Sequence, residues 1–250
     1  MEDLIRKKLT QIEQDYNIKV LYACESGSRA WGFPSPNSDY DVRFIYAHSL
    51  DWHLSLTDKK DTIDLPINDE LDIGGWEIKK ALQLLWKSNA PILEWIQSPI
   101  VYQADLTFLS GIREVAAQCF SPIATMHHYL SMSKKYLEAC SSEEVKLKKY
   151  FYALRTAIAG AWIREKGSVP HIEITKMLSV AGEEVRDKII SLIELKATQK
   201  EDYLHPQEPV ILHFLRDVIE QNETAFPSLS PGKGDFDKLE EFYRKTVKAE

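Results

Sequence analysis

Cysteine is scarce in this sequence, and long uncharged apolar runs are missing. Its three cysteines form no CxxC pair, and an odd number cannot all pair within one chain. This pattern excludes a disulfide framework and a cysteine-based metal site. The longest uncharged apolar stretch, residues 157–163, is far too short to cross a bilayer, and the N-terminus has no apolar segment after its charges. We therefore expect a reduced, cytoplasmic protein without a signal peptide or membrane span.

Positive charge is also in short supply. The 31 basic and 38 acidic residues give a formal charge of −7, and residues 1–110 carry 11 of the basic and 17 of the acidic ones. Nonspecific coating of nucleic acids requires clustered Lys and Arg, so the composition argues against that class of protein. Residues 134–166 hold eight basic residues against four acidic ones. This local excess is compatible with one phosphorylated substrate.

The first half of the chain mixes strand and helix patterns. The patterns predict a helix at residues 4–12, followed by strands at 19–24 and 40–46 on either side of a breaker-rich turn. Residues 62–67 and 70–73 are predicted to form a hairpin that turns at Asn68-Asp69. After Gly74-Gly75 a helix is predicted at 76–87, and a short helix runs from Asn89 to before Pro99.

From about residue 111 onward, only helical periodicity is present. The clearest helices are predicted at residues 122–139, 143–166, 183–200, 208–222 and 236–248. Strands followed by a run of helices indicate the α+β class. We therefore predict two domains, residues 1–110 with a small sheet and residues 111–250 with helices alone.

Two carboxylates stand at the start of the second strand, in Asp39-Tyr40-Asp41. Because side chains alternate along a strand, both project from one face. Such a pair can clamp a hard cation such as Mg²⁺, which leaves water or phosphate oxygens as further ligands. An Asp-x-Asp alone is weak evidence, since it also fits an exposed strand end with Asp39 as a turn residue.

Gly27 and Ser28 follow the preceding strand and strengthen the case for chemistry. Glycine lets backbone N–H groups approach a phosphate, and the serine hydroxyl can donate to it. Two adjacent strands would then bring a phosphate cradle beside a metal clamp. That combination serves phosphoryl or nucleotidyl transfer.

Several blocks of the sequence together resemble a known family. Gly27-Ser28 followed by Asp39-x-Asp41 matches the signature of the DNA polymerase β superfamily of nucleotidyltransferases. More narrowly, the chain resembles its RNA-repair-pathway branch over roughly residues 20–200. The matching blocks are ESGSRAWGF at 25–33, SDYDVRF at 38–44, LDIGGW at 71–76, Ser88-Asn89, Glu94-Trp95 with Ser98-Pro99, and KLKKYFYALR at 146–155 continuing to Trp162-Ile163.

The resemblance implies a small mixed-sheet, polymerase β-like catalytic domain at residues 1–110 and a helical substrate-binding domain at 111–250. It also implies a third carboxylate on a later strand, for which Asp72 matches and Asp64 is the competitor. In the superfamily the first two carboxylates bridge two Mg²⁺ ions. The third holds the catalytic metal and helps to activate the attacking hydroxyl. The expected cofactor is Mg²⁺ or Mn²⁺.

Four basic residues are candidates for binding the nucleotide phosphates. Arg29 follows the cradle and either contacts phosphate or pairs with a carboxylate such as Glu25. Arg43 shares the strand face of the two aspartates and either neutralises them or contacts phosphate. On the helix from residue 143, Lys148 and Arg155 share one face, so they either contact the nucleotide or acceptor or form a solvated basic stripe.

The expected reaction moves a nucleoside monophosphate from an NTP to an acceptor hydroxyl and releases pyrophosphate. The narrower resemblance favours an RNA end as acceptor, whereas an acidic chain is equally suited to a small molecule or a protein. A noncatalytic nucleotide- or RNA-binding module is the alternative from another class. A phosphohydrolase is disfavoured because nothing obvious activates water. No GxSxG, Walker loop or GxGxxG motif is present.

Overall fold

The computed structural model describes residues 1–67 and 70–249. Its helices are α1 Glu2–Tyr16, α2 Gly27–Trp31, α3 Leu50–His53, α4 Ile78–Trp86, α5 Ala90–Trp95, α6 Leu106–Cys119, α7 Pro122–Glu138, α8 Leu147–Lys166, α9 Glu183–Thr198, α10 Pro209–Ala225 and α11 Phe236–Lys248. Its strands are β1 Lys19–Glu25, β2 Tyr40–Ala47, β3 Thr62–Asp64, β4 Leu71–Glu77, β5 Val101–Ala104, β6 Glu144–Lys146 and β7 Leu204–Pro206. Short 3₁₀ turns cover Ile174–Val180 and Phe226–Ser228.

The described chain forms two compact units. The first comprises residues 1–27, 39–120 and 233–250, and the second comprises residues 28–38 and 121–232. This division differs from a single cut at residue 110, because residues 28–38 belong with the helices and α11 belongs with the sheet. The α+β class, with a mixed sheet first and a helical region after it, is confirmed. None of the described helices combines the length and apolarity that a membrane span requires.

A mixed five-stranded sheet organises the first unit, in the order β3-β4-β2-β1-β5. Strands β2 and β4 run parallel, and the other neighbours are antiparallel. One face is covered by α1, whose Ile5, Leu9 and Ile12 are buried in one cluster with Phe44 and Ile73 of the sheet. The amphipathic spacing that predicted α1 therefore reflects this packing.

The helix predicted at residues 76–87 begins only at Ile78, because β4 continues through Glu77. Gly74 and Gly75 lie inside the strand and do not end it. A Cβ at Gly75 would lie 2.3 Å from ring atoms of Phe44, so glycine permits that ring to cross the strand. The predicted pairing of the flanking segments is confirmed, since β3 runs antiparallel to β4. The predicted turn, Asn68-Asp69, lies outside the described residues.

The second unit is helical apart from a ribbon of β6 and β7, which the sequence patterns did not predict. The helix expected from residue 143 begins at Leu147, because residues 144–146 pair with residues 204–206. The side chain of Val145 in this ribbon is buried. Segment 28–38 contributes α2 to the same unit, where the Phe33 ring stacks on Phe151 with 4.7 Å between centroids.

Candidate functional site

Two of the predicted carboxylates lie directly opposite each other in the first unit. Asp41 of β2 pairs in register with Asp72 of β4. Because the strands are parallel neighbours, the two side chains point to the same face of the sheet. Both side chains keep about 30% of their surface exposed, at 32% and 29%. The strand pairing thus joins two carboxylates that are 31 positions apart in the sequence.

Arg43 supplies the positive charge between these carboxylates. Its Nη2 lies 2.6 Å from Asp72 Oδ2 and 3.7 Å from Asp41 Oδ1. Its Nη1 also donates to the backbone oxygens of Val42 and Asp72. A guanidinium in this position offsets the repulsion of two like charges. Arg43 thus makes the ion pairs that its neutralising role requires, and its contact with phosphate stays a prediction.

The other two candidate carboxylates lie at the edges of this arrangement. Asp39 is exposed in the segment directly before β2. Asp64, the competitor of Asp72, lies on β3 opposite Gly74, two residues farther along the sheet. Its side chain is 68% exposed, and its Oδ2 lies 3.9 Å from Lys60 Nζ. The Arg43 guanidinium contacts both Asp72 and Asp41, which supports the choice of Asp72 over Asp64.

Gly27 makes room for Asp41. Its φ is +61°, and a Cβ at this position would lie only 1.9 Å from Asp41 Oδ2. Both the backbone conformation and the close approach therefore require glycine. The adjacent Ser26 N–H donates to the Asp41 carbonyl at 2.8 Å, which fixes the spacing. The structure therefore gives Gly27 a role in placing the Asp41 carboxylate, and its contact with phosphate stays a prediction.

Glu25 is a functional candidate that the sequence reasoning did not select. It is fully buried at the end of β1, where its Oε1 accepts a 2.8 Å hydrogen bond from the Asp41 N–H. The Tyr102 hydroxyl donates to its other oxygen. A buried carboxylate bonded to the backbone of Asp41 holds the start of β2 in place. Its only sequence signal is an acidic residue closing an otherwise apolar strand.

Ser28 and Arg29 both bind Ser38 within the second unit. The Ser28 hydroxyl donates to Ser38 Oγ at 3.1 Å, and Arg29 Nη2 donates to the Ser38 carbonyl at 2.6 Å. Ser28 and Ser38 are both buried. These bonds close segment 28–38 into a loop whose next residue in the sequence is Asp39. Hydrogen bonds from Ser28 and Arg29 therefore fix the residue that precedes the first predicted carboxylate.

Lys148 and Arg155 do not form an exposed basic stripe. Lys148 Nζ lies 2.5 Å from Glu201 Oε2, and both side chains are at least two-thirds buried. Arg155 is only 3% exposed, with its guanidinium 4.6 Å from the Trp31 ring centroid and its Nε donating to the Ile172 carbonyl. The solvated-face interpretation is therefore wrong for Arg155. Helix α8 is buried on most sides, and Lys148 and Arg155 point into packed surroundings, whereas its Lys149 and Lys166 are exposed.

Three tryptophans in the matching sequence blocks are packed side chains. Trp76 and Trp95 stack on each other with 3.9 Å between ring centroids, and Trp95 is buried. Trp31 packs against Phe33 and Tyr152. These contacts agree with the core role that large aromatics usually have.

Comparison with known proteins assigns this arrangement to a family. The sequence profile of the RNA repair pathway DNA polymerase beta family matches residues 1–245. The chain belongs to this family. As a member of the RNA repair pathway DNA polymerase beta family, it is a nucleotidyltransferase. The family resemblance seen in the sequence blocks is thereby confirmed.

Two individual proteins are similar to this family member. YcgL of Bacillus subtilis (strain 168), an uncharacterized protein, is 41% identical over 238 residues, which cover 94% of this chain and 92% of YcgL. A crystal structure of a nucleotidyltransferase-like protein from Exiguobacterium sibiricum 255-15 matches 98% of this chain and 80% of its own. Its sequence identity to this chain is 9% and its TM-score 0.31.

The donor set of this family member is suited to a hard cation. Within residues 1–67 and 70–249, no three or more His, Cys, Asp or Glu side chains gather closely enough to enclose a metal ion. Asp41 and Asp72 nevertheless present their side chains on one face of the sheet, and Gly27 leaves room for Asp41 Oδ2 beside its backbone. Mg²⁺ binds through one or two carboxylates and completes its shell with water and phosphate. The residues present therefore fit Mg²⁺.

Proposed function

We propose that the protein is a metal-dependent nucleotidyltransferase that moves a nucleoside monophosphate from an NTP to the hydroxyl of an RNA end and releases pyrophosphate. The pairing of Asp41 with Asp72 in one register, with Gly27 leaving room for the Asp41 carboxylate, carries this proposal. The RNA acceptor rests on the family description. A cytoplasmic location, in keeping with three free, buried cysteines, belongs to the same proposal.

Three aspartates are assigned to the divalent cation. Asp39, Asp41 and Asp72 would hold Mg²⁺ or Mn²⁺, which supplies Lewis-acid stabilisation of the charge that develops on phosphate oxygens. Asp72 is the member of this set that helps to take the proton from the attacking acceptor hydroxyl. Glu25 holds the Asp41 backbone and thereby orients its side chain. Asp64 has no part in this assignment.

The basic and hydroxyl side chains bind the phosphates. Arg43 balances Asp41 and Asp72, and its five N–H donors let it keep one carboxylate while contacting phosphate. Gly27, Ser28 and Arg29 bind the nucleotide phosphates through backbone, hydroxyl and guanidinium donors. We assign Lys148 the same role, and we infer that Arg155 acts by supporting Trp31.

Labelling experiments with a matched pair of aspartate variants test the proposal. Each α-labelled NTP is incubated with Mg²⁺ or Mn²⁺ and RNA of defined ends, using wild type, Asp72→Asn and Asp64→Asn. We expect labelled RNA with wild type and with Asp64→Asn, and at least a hundredfold loss with Asp72→Asn. Both variants remove one carboxylate from neighbouring strands, so a nonspecific charge effect would strike both equally.

Other results of these incubations would contradict the proposal in distinct ways. Activity that depends on Asp64 and not on Asp72 would reverse the choice of third carboxylate. Label in protein or in small molecules, with none in RNA, would show that the acceptor class is wrong. NTP binding without pyrophosphate release on any acceptor would indicate a noncatalytic module.

A further inference from the structure

Segment 35–38 of the second unit lies among charged groups that the family comparison does not assign. Lys196 of α9 is only 1% exposed, and its ammonium donates to Ser35 Oγ at 2.8 Å. Within the described part of the chain this is its single hydrogen bond, although an ammonium offers three donors. A buried charge with spare donors is expensive unless an anion lies nearby.

The nearby anion is Glu201, which follows α9. Its Oε1 accepts a 2.8 Å hydrogen bond from Ser38 Oγ, and its Oε2 lies 2.5 Å from Lys148 Nζ. The Asn37 side chain accepts a hydrogen bond from the Glu201 N–H at 3.0 Å. Lys148 and Ser38 therefore contact one carboxylate, and Lys196 is held by Ser35 in the same segment as Ser38.

The electrostatics of this cluster show that it is suited to an anion. Burial alone would raise the pKa of Glu201, but hydrogen bonds from Lys148 and Ser38 and the charge of Lys196 hold it below the usual range. For Lys196, burial lowers the pKa to about 8, opposed by Glu201 and assisted by Lys148. The ammonium groups of Lys148 and Lys196 and the carboxylate of Glu201 together leave one excess positive charge. A phosphate group carries more negative charge than a carboxylate, so it would offset this excess better.

We propose that Ser38, Lys148 and Lys196 form a subsite for the polyphosphate tail of the nucleotide, and that Glu201 occupies it as an internal substitute for phosphate. The proposal rests on the proposed function, because it names where an NTP would bind. Carboxylate and phosphate oxygens accept the same hydrogen bonds from lysine and serine. Nucleotide binding then requires Glu201 to withdraw, so Glu201 weakens the affinity for NTP.

Glutamate 201 has a suitable control in the same unit. Glu223 forms a 2.6 Å ion pair with Lys134, but both side chains are largely exposed. Glu201→Gln and Glu223→Gln remove the same charge and keep a similar shape. Only the first variant removes a competitor from the proposed subsite.

Calorimetric titration of the full chain with sodium tripolyphosphate, without metal, tests the proposal directly. We expect Glu201→Gln to bind tripolyphosphate on the order of tenfold more tightly than wild type, since one charge-assisted contact no longer competes. Glu223→Gln should bind like wild type. Adding Lys196→Met or Lys148→Met to Glu201→Gln should abolish the gain, with circular dichroism confirming that each variant is folded.

Tripolyphosphate binding that is unchanged or weaker in Glu201→Gln would overturn the proposal, as would a gain that survives both lysine substitutions. Absence of binding by every variant would overturn it as well. The titration involves no catalysis, so its outcome is separate from that of the labelling experiment. A binding gain without nucleotidyl transfer would refute the proposed function and leave a polyphosphate site. Transfer without a binding gain would refute the subsite alone.

Discussion

Glu77 makes the stability of the first unit depend on pH. It is fully buried at the end of β4, where it caps α4 by accepting a 2.6 Å hydrogen bond from the Lys79 N–H. Its Oε1 has no hydrogen-bond partner within the described residues and lies 3.6 Å from His53 Nε2. Burial raises the pKa of Glu77 to about 7, assisted by Asp61 and opposed by the Lys79 and Ile78 amides and the Lys79 charge.

The sign of the effect follows from this raised pKa. The folded state favours the protonated form, so its contribution to stability is complete below pH 4.5 and is lost as the pH rises through 7. A shift from 4.5 to about 7 corresponds to about 3 kcal/mol at 1.36 kcal/mol per pKa unit. Burial lowers the pKa of His53 and keeps its imidazole neutral in the upper part of this range.

Replacement of Glu77 by Gln isolates this contribution. The amide keeps an acceptor for the Lys79 N–H but cannot ionise. We expect Glu77→Gln to match wild type near pH 4 and to exceed its free energy of unfolding by about 3 kcal/mol near pH 8.5. Urea titrations followed by tryptophan fluorescence from pH 4 to 9 measure the difference, with the exposed Glu114→Gln as control. A gap between wild type and Glu77→Gln that stays constant or shrinks with rising pH would refute the reasoning.

Three further substitutions have expected outcomes. Gly75→Ala should destabilise the protein by about 1 to 3 kcal/mol, because its Cβ meets the Phe44 ring; an unchanged thermal midpoint would contradict that contact. Gly27→Ala should lower kcat/KM for NTP, because its Cβ displaces Asp41 Oδ2. Expressed as a free energy, this loss should far exceed the loss in free energy of unfolding; equal losses would point to a structural role only. Arg155→Met should cost about 2 to 3 kcal/mol of stability by removing a buried charged donor, and a normal melting temperature would show that this contact is dispensable.

Local patterns predicted the strand that carries Asp41 and Arg43. Residues 40–46 are rich in β-branched and aromatic side chains, and they form β2 with one further residue, Ala47. Alternation along that strand also placed Asp41 and Arg43 on one face, where they now form an ion pair. The parallel partner strand could not be assigned this way, because the register of Asp41 with Asp72 depends on pairing between distant segments.

Long-range contacts account for the predictions that failed. Gly74-Gly75 has the composition of a breaker, yet it continues a strand because Phe44 needs the space. Arg155 belongs to a basic run that is typical of an exposed face, yet Trp31 and Ile172 enclose it. Glu201 carries no local signal, since its partners Ser38 and Lys148 are 163 and 53 positions away. In each case the deciding neighbour lies far off in the sequence.

The return of α11 to the first unit sets the order in which that unit can be completed during synthesis. The ribosome produces residues 1–120 first, then all of residues 121–232, and only afterwards the helix that packs on α4 and α6. Until then Phe108 lacks its ring contact with Phe242, and Trp86 lacks Phe236. A nascent chain therefore exposes apolar surface to chaperones and proteases throughout translation of the second unit. Premature stop codons before residue 236 would leave that surface permanently uncovered.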